Sequence, residues 1–467
     1  MKRQRWGRRV MLLSACIIGL LAMTGCQYTA TPADLLISAR ATPENAELAA
    51  AVRDALPPRA KLTVPDHDQS ISAVRKVDID GDGRQEALVT FMNDAEVKQL
   101  MVLKNKGDGW KLWFIFGESS NYGIDFFEAA DLDGDGKLEL LVGWNEFGDP
   151  EHALNIYRVD PDEVYHEPPK PIAEIEYSLA RVGDVTGDGR TEVVLIRNDR
   201  EQMKTTLYVY RMEQGNLRNV ISVPLESGVN GYYNMAIGQV AVGRYGIVAD
   251  AGVGAHSSMT TMLAWENGKL IKIFPRSAAG EAESGNFYST ISGDSNNDGI
   301  LDIIMMREAP GQAEDIPYSE TLWIEQRKQW DGGDNFDIIS EQYSDYNKRY
   351  ALKFPDRWRG KITLSRPESA ENGQVLFSVL SASEKVTIML PLLAIHSIPV
   401  KEWNTAEQAW QAKGAKYAEI TQAAGLVYAV EWKEAREDWT DEEQLLHAQM
   451  SPDIDEIKQM FAILAEY

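Results

Sequence analysis

The stretch Asp131-Leu132-Asp133-Gly134-Asp135-Gly136-Lys137-Leu138-Glu139 places carboxylates at alternate positions of a glycine-kinked nonapeptide. It recurs as Asp78-Ile79-Asp80-Gly81-Asp82-Gly83-Arg84-Gln85-Glu86, as Asp184-Val185-Thr186-Gly187-Asp188-Gly189-Arg190-Thr191-Glu192 and as Asp294-Ser295-Asn296-Asn297-Asp298-Gly299-Ile300-Leu301-Asp302. The copies start at 78, 131, 184 and 294, so the spacings are 53, 53 and 110, and 110 is two periods of 55. A fifth repeat that has lost its loop is therefore expected near residue 239. There the chain reads Ile237-Gly238-Gln239-Val240-Ala241-Val242-Gly243-Arg244-Tyr245-Gly246-Ile247-Val248, which keeps the flanking glycines and β-branched residues and lacks the carboxylates.

The composition of the loop follows from the needs of a hard cation. Calcium takes six to eight oxygens at roughly 2.3–2.6 Å, and alternate residues of a tightly curved loop all point at one centre. Position 1 offers Asp78, Asp131, Asp184 and Asp294; position 3 offers Asp80, Asp133, Thr186 and Asn296; position 5 offers Asp82, Asp135, Asp188 and Asp298. Glycine at position 6 permits the turn. Position 7, occupied by Arg84, Lys137, Arg190 and Ile300, would contribute only its main-chain carbonyl. Position 9 returns a carboxylate from Glu86, Glu139, Glu192 and Asp302. Up to four Ca2+ sites are expected. The first two loops carry four carboxylates each and the other two carry three, so tighter binding is expected at the first two. An EF-hand would need a bidentate Glu at position 12 and flanking helices. Position 12 here is Val89, Val142, Leu195 or Met305, inside runs that read as strands.

Short strands between turns at a period of 53–55 residues match the scale of a four-stranded propeller blade. In the first repeat the pattern predicts strands at 73–77, 86–91, 99–104 and 110–116. The expected fold class is mainly β, a propeller of about five blades over residues 60–340, followed by a small α+β domain over 345–467. The run Phe127-Glu128-Ala129-Ala130-Asp131 through Glu139 resembles the FG-GAP, or VCBS-type, repeat of the integrin α-chain N-terminal propeller and its bacterial relatives. That resemblance spans about residues 60–340. It implies that calcium rigidifies rim loops while other surface loops recognise ligand. Members of that family usually have seven blades, so the five repeats leave open either a five-bladed propeller or further blades too diverged to read.

The chain begins differently. Lys2, Arg3, Arg5, Arg8 and Arg9 precede an apolar run over 10–23, too short to span a bilayer, which ends at Met23-Thr24-Gly25-Cys26. That ending resembles the bacterial lipobox, with Met23 where Leu is commonest. It implies a signal peptide over 1–26, lipidation at Cys26, and an exported protein anchored to the cell membrane and facing outward. The 467 residues contain two cysteines, Cys16 and Cys26, so the body after residue 26 forms no disulfide. Residues 27–59 read as a tether and a short helix that starts at Thr42-Pro43 and stops at Pro57-Pro58. The formal net charge of -24, with its one basic cluster inside the leader, argues against nucleic acid as a partner. The acidic loops themselves account for much of that charge.

Beyond about 345 the period stops. Strands are predicted at 361–364, 375–380, 385–392 and 425–432, a helix at 405–415, and a last helix capped by Ser451-Pro452-Asp453 and running to about 465. The opening Phe354-Pro355-Asp356-Arg357-Trp358 and this layout resemble PsbP and Mog1-like domains, with Trp358 expected to be a core anchor. No catalytic motif is found: the six histidines show no HExxH and no paired metal spacing, and no nucleophile elbow occurs. Gly252-Val253-Gly254-Ala255-His256-Ser257-Ser258, Trp144-Asn145 and Asn121-Tyr122 are read as turn or core residues that would also suit a propeller end. The preferred function is a calcium-stabilised binding or adhesion-type module for a protein or glycan ligand. The alternative is a polysaccharide-acting propeller enzyme, which would need two carboxylates outside the loops across a central pocket.

Overall fold

The computed structural model describes residues 43–67, 72–107, 109–117, 123–146, 152–275, 285–312, 316–317, 320–367, 374–382 and 387–464. The leader, the lipobox with Cys26, and Asn121-Tyr122 lie outside the described residues. Among those described, no helix is long and apolar enough to cross a membrane.

Among the described residues, five antiparallel sheets follow one another as blades. The first is built from Val74–Val77, Glu86–Met92, Lys98–Asn105 and Trp110–Phe116. The second uses Gly123–Ala130, Glu139–Asn145, His152–Tyr157 and Ala173–Tyr177, and the third Leu179–Gly183, Glu192–Asp199, Lys204–Glu213 and Asn216–Leu225. The fourth comprises Gly231–Ala241, Arg244–Val253, Ser257–Glu266 and Lys269–Phe274. In the fifth, the innermost position is held by Gly293 bridging Asp302, followed by Ile303–Glu308, Trp323–Trp330 and Phe336–Asp345. In blades one, two, three and five the acidic nonapeptide joins the innermost strand to the second. In blade four, at the expected place, Val242 and Gly243 make a tight turn, with Gly243 at φ 67°.

The second strand of each blade is apolar on both faces because both faces are covered. Its period-two alternation sends successive residues to different neighbours. Leu88 of blade one and Leu140, Val142 and Trp144 of blade two share one core, while Leu141 turns the other way to meet Val193 and Leu195 of blade three. Val194 and Ile196 then pack with Ile247 and Ala249 of blade four, whose Val248 meets Ile303 and Met305 of blade five. Blade four lacks a loop, and its buried Asp250 bonds across to blade five. It accepts from Thr260 Oγ1 at 2.6 Å, Asn234 Nδ2 at 2.8 Å, and Ser292 N and Oγ at 2.6 and 2.9 Å.

The two ends of this series are capped by other elements. Helix α1, Pro43–Ala55, lays Leu48 and Val52 on Ala87, Val89, Phe91, Met101 and Leu103, the free face of blade one. The free face of blade five, with Ile324 and Tyr343, packs against a sixth sheet through Phe354, Trp358, Phe377 and Tyr428. Among the described residues, both faces of blades one and five are thus taken, and the fifth blade does not pack its face on the first. End caps of this kind are what a stack of repeats needs to hide its terminal apolar faces.

The sixth sheet runs Ile362–Ser365, Val375–Ala382, Thr387–Pro399, Leu426–Trp432, Tyr417–Ala423 in spatial order, with helices α2 (Trp403–Ala412), α3 (Asp441–Met450) and α4 (Ile454–Met460). Three differences from the sequence reading stand out. Helix α3 is not among the predicted elements, although Thr440 and Glu443 form a reciprocal capping box at its start. The last helix, capped by Asp453, stops at Met460 instead of continuing to 465. From there Phe461–Ile463 pairs with Tyr350–Lys353, and both strands belong to the sheet of blade five. An open sheet edge, together with Phe461 stacked on Tyr350 at 5.4 Å, overrides the local helical period. The predicted boundary near 345 therefore falls inside a sheet.

Trp358 is a core anchor: it is fully buried, and its indole N–H donates to the Met450 carbonyl at 2.7 Å. Trp358→Ala is expected to lower stability by about 3–5 kcal/mol, measured as the shift of a urea midpoint. Leu48→Ala should lower it by about 2–5 kcal/mol if α1 caps blade one; an unchanged melt would show that the helix does not hold that face.

Candidate metal loops and the opposite face

The four loops share one hydrogen-bonding scheme. In the first, Asp78 accepts from Gly81 N at 2.8 Å and Gly83 N at 2.9 Å, Asp80 from Asp82 N at 3.1 Å, and Asp82 from Arg84 N at 2.8 Å. Glu86 Oε2 reaches back to Ile79 N at 3.1 Å. The same bonds recur from Asp131 to Glu139 and from Asp184 to Glu192, except that Thr186 N donates to Asp184. Loop four keeps Asp294 with Gly299, Asn296 with Asp298, Asp298 with Ile300, and Asp302 with Ser295. Such a coil requires left-handed backbone twice per loop. Gly81 and Gly83 sit at φ 74° and 83°, and in loop four Asn297, at φ 59°, stands in for the first glycine.

In loops one and two these turns bring three carboxylates together. One oxygen each from Asp78, Asp80 and Glu86 lies within 4.8 Å of the others, as does one each from Asp131, Asp133 and Glu139. Asp82 and Asp135, at position 5, are not in those groups. Among the described residues, loops three and four form no comparable group; there Thr186 and Asn296 replace an acid. The position-7 residues Arg84, Lys137, Arg190 and Ile300 donate their N–H groups to position 5, and the Arg84 side chain pairs with Asp82. Burial pushes the Glu86 carboxyl up to about 7, and burial likewise raises Glu192 and Asp302. Glu86 is fully buried and its Oε1 has no hydrogen-bond partner. A buried acid with an unpaired oxygen beside two further carboxylates suits a hard divalent cation.

A residue near the end of each third strand also reaches the loop of its blade. Lys104 Nζ lies 2.9 Å from Asp80. Arg158 donates to Glu139 Oε1 through Nε at 2.9 Å and Nη2 at 2.7 Å, and to Asp133 at 2.5 Å. Arg211 grips Glu192 through Nε at 3.0 Å and through Nη2, and also meets Thr186 and Asp188, each at 3.3 Å. In blade five the reaching residue is Gln329, 2.8 Å from Asp298.

The other end of the blades carries a polar cluster. Asp125 lies six residues before Asp131 on the innermost strand of blade two, about 20 Å away at the rise of a β-strand. It is 5% exposed, with Oδ2 accepting from the Tyr177 hydroxyl at 2.6 Å and Oδ1 lying 2.5 Å from His67 Nδ1. Burial opposes its ionisation, but the bonds from His67 and Tyr177 win and hold it below the usual carboxylate range. The bond to Asp125 in turn raises His67. His152 stacks on Tyr177 at 5.2 Å and meets Asn145 at 3.0 Å, and Asn145 donates to Asp66 at 2.7 Å. Tyr177 fits because residue 143 is glycine: a Cβ there would come 2.1 Å from the tyrosine hydroxyl.

His67 also lines an axial cavity of about 590 Å³ with Glu128, Arg181, Asn234 and Ser292, which extends to Asp294. His152 lines a hollow of about 140 Å³ with Ser178, Asn198, Arg200, Asn230 and Tyr232. Of the segments read as suiting a propeller end, Trp144 is core, Asn145 belongs to the cluster, and the 252–258 turn is tied to Asn230, whose side chain donates to Gly254 O at 2.5 Å. Sequence reasoning passed over His67, Asp125 and Tyr177. The one available signal was an acid, Asp125, inside the otherwise apolar run Gly123-Ile124-Asp125-Phe126-Phe127.

Residues 68–142 match a family model described as an FG-GAP-like repeat. No curated protein matches the chain. Among solved structures, the chain is similar to a rhamnogalacturonan lyase from Bacillus licheniformis at 13% identity, covering 71% of this chain and 72% of that one with a TM-score of 0.32. It is similar to the Dos1 propeller at 8% identity, with coverages of 79% and 82% and a TM-score of 0.28. A third similarity is to an exo-β-1,3-galactanase from Phanerochaete chrysosporium, at 8% identity, coverages of 72% and 77% and a TM-score of 0.29. Superpositions this loose carry no weight for function. The family match and the blade topology together describe a β-propeller built on FG-GAP-like repeats.

Proposed function

We propose that this protein is an exported, lipid-anchored recognition module, stabilised by calcium in its acidic loops, which binds a protein or glycan ligand at the opposite end of its blades. The separation of the two ends carries this reading. Metal-type ligands collect where innermost strands turn into second strands, whereas aromatic, amide and imidazole groups collect about 20 Å away, along a strand of ordinary rise. Such mixed surfaces suit carbohydrate or peptide. Among the described lining residues of the axial cavity, Glu128 is the one carboxylate outside a loop, which favours binding over hydrolysis by a pair of acids. The chain from residue 30 onward is expected to retain a ligand from a glycan array or an envelope-protein pull-down. His152→Ala with Asn198→Ala should weaken that capture while the variant still unfolds in one cooperative transition; equal capture by the variant would remove the ligand from this face.

Calcium has its own check. EDTA is expected to lower the melting temperature in calorimetry, and added Ca2+ to restore it, because an ion that binds only the folded state stabilises it by mass action. A melt indifferent to both would end the calcium reading.

One observation favours the alternative of a polysaccharide-acting enzyme: His67, backed by Asp125, borders the axial cavity and has the make-up of a general base. Under that reading, polysaccharide would yield new chain ends, and His67→Gln would abolish them. The pair also has a pH signature. Because the His67 value is raised, the attraction is fully present below 6.5 and fades as pH rises through the folded value. Asp125→Asn is expected to bring the His67 NMR titration midpoint back down.

A further inference from the structure

We infer that the four acidic loops are of two kinds: loops one and four take calcium, whereas loops two and three hold an arginine of their own blade where the ion would sit. The inference rests on the calcium reading and sharpens it. In every loop the position-9 carboxylate gives one oxygen to the N–H of position 2. What meets its second oxygen differs from loop to loop.

In loops two and three the second oxygen, Oε1 of Glu139 or Glu192, receives both Nε and Nη2 of an arginine. The arginine stands 19 residues after the glutamate in both blades, so the arrangement is part of the repeat. The same guanidinium touches position 3 in each case, Asp133 or Thr186. It thus lies among the groups that would coordinate an ion, with a permanent positive charge and a fork of donors. Calcium could enter only by displacing a charge-assisted, two-pronged pair from a buried carboxylate.

Loops one and four lack that fork. In loop one the equivalent position holds Lys104, a single ammonium divided between Asp80 at 2.9 Å and the Pro161 carbonyl at 2.8 Å, and lying 4.2 Å from the centre of the Trp113 ring. It makes no bond to Glu86, whose Oε1 is buried without a hydrogen-bond partner. In loop four the equivalent residue is the neutral Gln329, which donates to Asp298 and whose amide also faces Asp302, while Asp302 Oδ1 is buried without a hydrogen bond of good geometry. A buried carboxylate oxygen left bare is costly, and a divalent cation removes that cost. Occupancy therefore follows the residue on the third strand and not the number of carboxylates, which had favoured loops one and two.

The test is a count of bound calcium on the full chain in detergent, by native mass spectrometry and by calorimetric titration. Two ions are expected. Asp78→Asn with Asp82→Asn should reduce the count to one, and Asp131→Asn with Asp135→Asn in loop two should leave it at two. Arg158→Gln with Arg211→Gln should raise it above two. Four ions on the unaltered chain, or loss of one on altering loop two, would overturn the inference while leaving the calcium reading intact. No bound ion at all would overturn both. Should the double arginine variant fail to fold, the loop-one and loop-two acid variants still decide between the alternatives.

Discussion

Each looped blade buries an acid at the point where its second strand begins or is about to begin. Glu86, Glu139, Glu192 and Asp302 are all at most 1% exposed, and each holds the backbone of its loop by accepting the position-2 N–H. The bond fixes the loop against the strand, and hence the innermost strand against the second. It also creates a debt of charge inside the protein, because a carboxylate removed from water has to be met by donors or by a cation. Arg158 and Arg211 meet Glu139 and Glu192 directly and Ser295 meets Asp302, whereas Lys104 reaches Asp80 beside Glu86 and Gln329 reaches Asp298 beside Asp302. Blade four has neither the acid nor the loop, and a two-residue turn suffices there.

The blades depend on a second constraint, that a sheet apolar on both faces has to be covered on both. Within the series each blade covers the next. At the ends the solutions differ: one amphipathic helix covers blade one, and a whole α+β unit covers blade five. The returning strand Phe461–Ile463 binds that unit into the edge of blade five, so the unit is joined to the propeller by backbone pairing as well as by a shared core. The result is an array with two distinct ends. Its axial cavity is lined both by Asp294 of loop four and by His67, which pairs with Asp125.

Much of this architecture is legible in the order of the amino acids. The expected strands 86–91 and 110–116 fall within a residue of Glu86–Met92 and Trp110–Phe116, because continuous apolar runs bounded by turn residues leave little choice. The loopless repeat near 239 is legible from spacing alone. Legibility fails where long-range pairing decides the outcome. The segment after Met460 has helical spacing locally and becomes a strand only because Tyr350–Lys353 offers it an edge. The cluster around Asp125 draws on residues 66, 67, 125, 145, 152 and 177, which no local window contains together.

The amino-acid sequence by itself determined the repeat, its period, the turn geometry and the set of side-chain oxygens in each loop, since each of these is a property of nine consecutive residues or of their spacing. The tertiary structure decided what faces those oxygens. Lys104, Arg158, Arg211 and Gln329 lie 18 to 27 residues beyond the position-9 acids of their loops, and only the folding of the third strand back beside the second brings them there. A cation and a buried carboxylate interact through space, over distances that sequence separation does not record, so which side chain faces each buried carboxylate is settled by the packing of the blade.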